Sequence, residues 1–130
     1  HGRLGIGDNR CRHIPVRLKS LPASFRNYTV KGLALGGAHS VILAHQSVPV
    51  TLTNPWGTES VAYAWGYGLC GQLGLGQNVC VLMFDLIVSI AAGKSYSLAT
   101  SIQGKVFSWG QGWTGQLGAG KSRDARVRKA

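Results

Sequence analysis

Three segments of this chain are near copies of one another: Gly2-Arg-Leu-Gly-Ile-Gly-Asp8, Gly71-Gln-Leu-Gly-Leu-Gly-Gln77 and Gly115-Gln-Leu-Gly-Ala-Gly-Lys121. Two further pairs recur in the same order. Leu33–Ala44 matches Ser89–Thr100, and Ala62-Tyr-Ala-Trp-Gly-Tyr-Gly68 matches Val106-Phe-Ser-Trp-Gly-Gln-Gly112. A chain built this way stacks units that cannot bury their apolar faces alone. Gly2, Gly71 and Gly115 stand 69 and 44 residues apart. Such steps are too long for one hairpin and suit a four-stranded blade.

Short apolar runs separated by glycine define the elements inside each unit. Leu33–Leu35 and Ile90–Ala92 end at Gly36 and Gly93, and Ser40–Ala44 and Ser97–Thr100 resume as second strands. Gly104 suits a tight hairpin before a strand at Val106–Trp109. In the first unit, residues 45–60 take the place of that hairpin and read as an inserted loop, which accounts for part of the longer step. The 19 glycines, about twice the usual share, fit many tight turns, and the reading is all-β.

Gly-x-x-His-Ser at 36–40, aromatic-x-Trp-Gly at 63–66 and 107–110, and Gly-Gln-Leu-Gly-x-Gly at 71–76 and 115–120 together resemble the repeat of the regulator of chromosome condensation family. The resemblance implies blades of four antiparallel strands, forming an incomplete part of a seven-bladed β-propeller. Residues 1–70 then form one blade with the loop 45–60, opening with the closing segment of a preceding blade. Residues 71–114 form a second blade, and 115–130 a closing segment and basic tail. WD40 repeats would place Asp after Trp, whereas each Trp here precedes Gly.

The repeated residues have physical reasons to be scaffold: Gly36, His39, Trp65, Gly66, Gly71, Leu73, Gly74, Gly93, Trp109, Gly110, Gly115, Leu117 and Gly118. Glycine permits turns and close backbone approach, Trp65 and Trp109 seal blade against blade, and Leu73 and Leu117 fill the space beside them. His39 is expected to hydrogen-bond the backbone of its own turn, and Tyr96 stands in the matching slot. Two blades leave apolar faces and strand edges open, so the chain by itself is expected to be unstable or to associate.

Chemistry-bearing patterns are sparse. Four His and four acids form no acid, base and nucleophile constellation, so no catalytic residue, cofactor or metal ligand is assigned. Gly115-Gln-Leu-Gly-Ala-Gly-Lys-Ser122 satisfies the phosphate-binding pattern G-x-x-x-x-G-K-S, but the same frame at 71–77 lacks the lysine, so a P-loop nucleotide binder is the weakest reading. Gly66–Gly71 and Gly110–Gly115 fit G-x-G-x-x-G without a following amphipathic helix. Cys11, Cys70 and Cys80 form no C-x-x-C pair and are expected to be reduced and mostly buried.

The net charge of +10 is uneven. Residues 1–31 hold seven Lys or Arg against one acid, residues 32–104 one base against two acids, and residues 105–130 six bases against one acid. Basic ends could neutralise phosphate, so chromatin or nucleic acid is one partner class, through Lys121, Arg123, Arg126, Arg128 and Lys129. Trp56, between Pro55 and Gly57, is a candidate anchor for a protein partner. The family resemblance implies an interaction scaffold or a guanine-nucleotide exchange factor for a small GTPase, completed by the remaining blades of a longer chain. Exchange requires tighter binding of the nucleotide-free GTPase and no side-chain chemistry. With neither an export signal nor an apolar span to read, the expected setting is intracellular, nucleus or cytoplasm, away from membrane.

Overall fold

Antiparallel pairing accounts for every strand of the computed structural model, which describes residues 1–18, 23–74, 80–82, 85–118 and 125–129. For residues 23, 24, 80–82 and 125–129 the description is of the backbone. The first sheet runs β1 (Thr29–Leu35), β2 (His39–Ser47), β3 (Thr58–Gly66) and β4 (Cys80–Leu82), with spatial order following chain order. The second repeats the pattern as β5 (Ile87–Ala92), β6 (Tyr96–Ser101), β7 (Val106–Gly110) and β8 (Ala125–Lys129). A short 3-10 helix, Ala23–Asn27, precedes β1, and the described residues contain no α-helix. The chain is all-β, built from four-stranded antiparallel blades.

Local sequence explains the details. β2 is central, and its first six residues are buried, as a strand covered on both faces requires. β6 instead alternates, burying Ser97, Ala99 and Ser101. Both opening strands carry a register irregularity at the matching place, Val30/Gly32 in β1 and Ile87/Ser89 in β5. Such bulges add twist to an edge strand.

The sheets stack face to face. Leu43 of β2 packs with Ile87, Ala99, Phe107 and Trp109, and Ile90 completes the cluster. Beside it Ala34, Val41, Ala62, Ala64 and Leu73 meet Ile90 and Ala92. Trp109 is fully buried there, and replacing it with Ala would cost about 3–5 kcal/mol. The opposite face of the first sheet holds Phe25, Ile42, Ala44, Val61 and Trp65, covered by Leu18, Tyr28 and Tyr63.

The sheets and the sequence repeats are out of phase. Sequence reading divides the units at 70/71, whereas the sheets change between Leu82 and Ile87, because β4 follows the glycine frame and still pairs with β3. Residues 45–60, read as a loop, are partly strand: β2 extends to Ser47 and β3 begins at Thr58, leaving 48–57 as the connection. His45↔Ser60 through Ser47↔Thr58 pairs zip up the base of that hairpin. The basic tail also contributes β8, whose Arg128 and Lys129 lie opposite Ser108 and Phe107.

Candidate interaction surface

The antiparallel meander places two rims at opposite ends of the sheets. One rim gathers the β1–β2 and β5–β6 turns with the glycine frames that follow β3 and β7, and the other gathers loop 48–57 and the β6–β7 turn. Gly37 N–H donates to the Lys94 carbonyl at 3.1 Å, tying the first rim together across the two blades.

The glycine rim is built around a repeated three-way junction. In the first blade, the Trp65 indole N–H and the Ser40 hydroxyl both donate to the Arg3 carbonyl, each at 2.8 Å. In the second, the Trp109 indole and the Ser97 hydroxyl donate to the Gln72 carbonyl at 2.9 and 3.0 Å. Each carbonyl belongs to the glycine frame preceding the blade that grips it. Each frame closes by the same turn, with Gly5, Gly74 and Gly118 N–H donating to the Gly2, Gly71 and Gly115 carbonyls. The tryptophans therefore clamp one repeat to the next through hydrogen bonds as well as through apolar area.

Two aromatic rings sit over backbone where a side chain would not fit. A Cβ on Gly36 would lie 2.1 Å from His39 Cε1, and one on Gly93 would lie 2.2 Å from Tyr96 Cε1. Gly66 and Gly110 adopt φ of 108° and 109°, and a Cβ on either would stand 2.6 Å from a carbonyl oxygen, of Ala38 and Ser95 respectively. Only glycine meets both demands at once.

His39 departs from the expectation that it bonds its own turn. Its Nε2 lies 2.9 Å from Ser97 Oγ in the next blade, and since that hydroxyl donates to Gln72, it accepts from the His39 N–H. Among the described residues the buried Nδ1 has no hydrogen-bond partner, and burial lowers the imidazole pKa from its ordinary 6.5. The ring is a neutral strut between blades.

At the opposite rim, loop 48–57 is held by its own backbone: Val48 N–H donates to the Gly57 carbonyl, and Thr51 and Asn54 exchange backbone hydrogen bonds. It presents Val50 and Leu52 as exposed apolar side chains, with Trp56 at 38% exposure. Nearby in the chain, the Ser60 hydroxyl accepts from Ile87 N–H at 2.8 Å, and the Asp85 carboxylate pairs with Lys105 at 3.1 Å.

Trp56 and the basic candidates are not brought together. Trp56 belongs to the first sheet's loop, whereas Arg126, Arg128 and Lys129 lie on β8, the outermost strand of the second sheet. Lys121 and Arg123 lie outside the described residues, as does the whole G-K-S end of the phosphate-binding pattern. Its described part, Gly115–Gly118, is a turn in an antiparallel fold. Cys11 is exposed and Cys70 partly so, against the expectation of mostly buried thiols. Among the described residues no three His, Cys, Asp or Glu converge on a point that could hold a metal ion, and no helix is long and apolar enough to cross a membrane.

Sequence reading passed over two exposed side chains on the glycine rim. Leu69 is 83% exposed and Trp113 59% exposed, and they occupy the same position of the Gly-x-Gly-x-x-Gly turn in successive repeats. Aligning the two turns would have revealed the pair.

Successive four-stranded meanders, stacked face to face and clamped frame to blade, define the repeat architecture of a β-propeller. Residues 1–43, which hold the first glycine frame and the Gly-x-x-His-Ser turn, match the model of the Regulator of chromosome condensation (RCC1) repeat, and the family resemblance read from the sequence holds. The RCC1 domain-containing protein RUG3, mitochondrial, of Arabidopsis thaliana is 34% identical over 73 residues, 56% of this chain and 13% of that protein. Among solved structures, human WBSCR16 aligns with a TM-score of 0.65 and 24% identity over 85% of this chain and 28% of its own. Prp20p of Saccharomyces cerevisiae, described with its binding to Gsp1p and histones, gives 0.59 and 21% over 85% and 26%. Yeast RCC1 (Prp20) bound by Kap60 gives 0.63 and 21% over 82% and 25%. The chain spans about an eighth of the curated relative and about a quarter of each of these structures.

Proposed function

We propose that this chain contributes blades to a protein-interaction scaffold, and that the scaffold works as a guanine-nucleotide exchange factor for a small GTPase. The observation that carries the scaffold reading is the pair Leu69 and Trp113, apolar side chains held in repeat register and exposed on the glycine rim. Large apolar groups kept in water on rigid turns suit interface anchors. The buried polar side chains near them are engaged elsewhere: Ser97, Ser40 and the indole donors are committed to holding blades together. The exchange reading comes from the family resemblance and from Prp20p, described as binding Gsp1p. An exchange surface needs only to favour the nucleotide-free partner, and an exposed rim offers that without catalytic side chains.

The test is release of labelled GDP from a panel of small GTPases with the full chain, alongside binding to their nucleotide-free forms. Accelerated release that Trp113→Ala abolishes would support both parts. Binding without acceleration would leave the scaffold and remove the exchange factor. Neither binding nor acceleration would remove both.

The basic strand favours a second reading, contact with nucleic acid. β8 sets Arg126, Arg128 and Lys129 on the outermost strand of the second sheet, an edge where charge also discourages strand addition. Phosphate neutralisation predicts binding that weakens steeply with salt and ignores sequence, and salt-independent binding would reject it.

A further inference from the structure

The connection between β2 and β3 has ten residues where the matching turn between β6 and β7 has four, and its composition is unlike that of the chain around it. Residues 48–57 carry no charged side chain, in a protein of net charge +10. Val50, Leu52 and Trp56 are 70%, 104% and 38% exposed, so the tip holds three large apolar groups in water. Blades stack through the faces of their sheets, whereas this loop projects from strand ends in mid-chain, on the rim.

The loop has also turned its polar groups inward. Val48 N–H donates to the Gly57 carbonyl at 3.0 Å, and Thr51 and Asn54 exchange backbone bonds at 3.1 and 3.2 Å. The Thr51 hydroxyl accepts from Asn54 N–H at 3.0 Å and pairs with the Thr53 hydroxyl at 3.2 Å, while the Asn54 amide donates to the Thr58 carbonyl at 3.1 Å. Asn54 Oδ1, without a partner among the described residues, is already buried. Pro49 and Pro55 have no N–H to satisfy. A protein interface draws on about one hydrogen bond per 100–200 Å², and this tip has few to offer. Leaving water for hydrocarbon forfeits correspondingly little, which is the condition that a lipid surface imposes.

Cations surround the base of the loop. Arg26, in the 3-10 helix that leads into β1 from this rim, and Lys31 on β1 are exposed. On the second sheet the register sets Arg128 and Lys129 of β8 at the same end. The described acids of this rim are engaged, Glu59 by the Gln46 amide at 2.9 Å and Asp85 by Lys105.

We infer that residues 48–57 insert into the headgroup boundary of an anionic bilayer, with Leu52 leading and the surrounding cations on the lipid phosphates. Apolar burial and charge attraction add, and a peripheral contact of this kind needs both. It involves one leaflet and no span, and among the described residues no helix is long and apolar enough to cross. The contact uses the rim opposite Leu69 and Trp113, so it stands independently of the scaffold reading and leaves that surface free.

Co-sedimentation of the full chain with phosphatidylcholine vesicles containing about a third phosphatidylserine reads the contact. We expect binding that falls steeply with salt and is weak on pure phosphatidylcholine. Leu52→Asp, at a fully exposed position, should keep the thermal midpoint and lower the vesicle partition coefficient at least about tenfold. Bromine on the acyl chains should quench wild-type tryptophan fluorescence, and Trp56→Phe should remove most of that quenching, because Trp65 and Trp109 are buried and Trp113 is on the other rim. No vesicle binding at about 0.1 M salt would overturn the proposal and leave the loop to a protein partner. Leu52→Asp binding as tightly as wild type, or quenching that is absent or survives in Trp56→Phe, would reduce the contact to surface charge and overturn it equally.

Discussion

Replacing Ser97 with Ala tests the frame-to-blade clamp at its most connected atom. The hydroxyl accepts from His39 Nε2–H at 2.9 Å and donates to the Gln72 carbonyl at 3.0 Å, and the site is fully buried. Its removal leaves the Gln72 carbonyl with the Trp109 indole, so that acceptor stays satisfied. The His39 N–H is stranded in a buried place, and an orphaned buried donor costs about 1–3 kcal/mol, to which the lost hydroxyl bond adds about 1 kcal/mol. Ser97→Ala should therefore destabilise by about 2–4 kcal/mol. Ser40→Ala provides the control, because Ser40 makes the same bond to the Arg3 carbonyl with no histidine behind it, and should cost about 0.5–1.5 kcal/mol. Urea unfolding at one fixed low protein concentration gives both values from the midpoint and slope. Adding His39→Phe to Ser97→Ala removes the stranded donor, so the double variant should lose less than the two single losses combined. Equal costs for Ser40→Ala and Ser97→Ala, or full additivity with His39→Phe, would refute the reasoning.

Four other outcomes follow from the same geometry. Burial lowers the His39 pKa below 6.5, so the folded state binds fewer protons than the unfolded one; stability is complete above pH 6.5 and lost as pH falls through the folded value, and His39→Phe should flatten that part of a urea midpoint-against-pH curve. Gly110→Ala forces a Cβ to 2.6 Å from the Ser95 carbonyl at φ 109° and should cost about 2 kcal/mol or more, read as a fall in thermal midpoint. Asp85→Asn breaks a partly exposed pair with Lys105 and should change stability by less than about 1 kcal/mol, and by still less in high salt. Trp56→Ala should leave the thermal midpoint within about 2 °C of wild type while reducing the affinity for any partner docking on loop 48–57, measured by titration calorimetry.

The strands that sequence reading found are those bounded by glycine and rich in apolar residues. Leu33–Leu35, Ser40–Ala44, Ile90–Ala92, Ser97–Thr100 and Val106–Trp109 all fall within strands. The two outer strands escaped it. Cys80–Leu82 is three residues long, too short for any alternation to register, and Ala-Arg-Val-Arg-Lys at 125–129 reads as a solvated tail because edge strands carry charge. The hairpin around 48–57 was drawn too wide for a related reason: His45, Gln46 and Ser47 are polar, yet their backbones still pair with β3. At the glycine rim the repeated serines and tryptophans were visible in the sequence, but not their shared target. The grip lands on a main-chain carbonyl, which carries no residue identity, and only the fold brings Ser97 and Trp109 to Gln72.

The two blades make the same clamp, with donor distances of 2.8 to 3.0 Å, although their second hairpins differ greatly in reach: ten residues connect β2 to β3 and four connect β6 to β7. Changes of length at that end are thus absorbed before they reach the clamp. One end of the molecule can be rewritten in sequence and size, by natural drift or by grafting a foreign loop, while the other sets the geometry of the stack. A family built on this plan can acquire new targets without redesigning its frame.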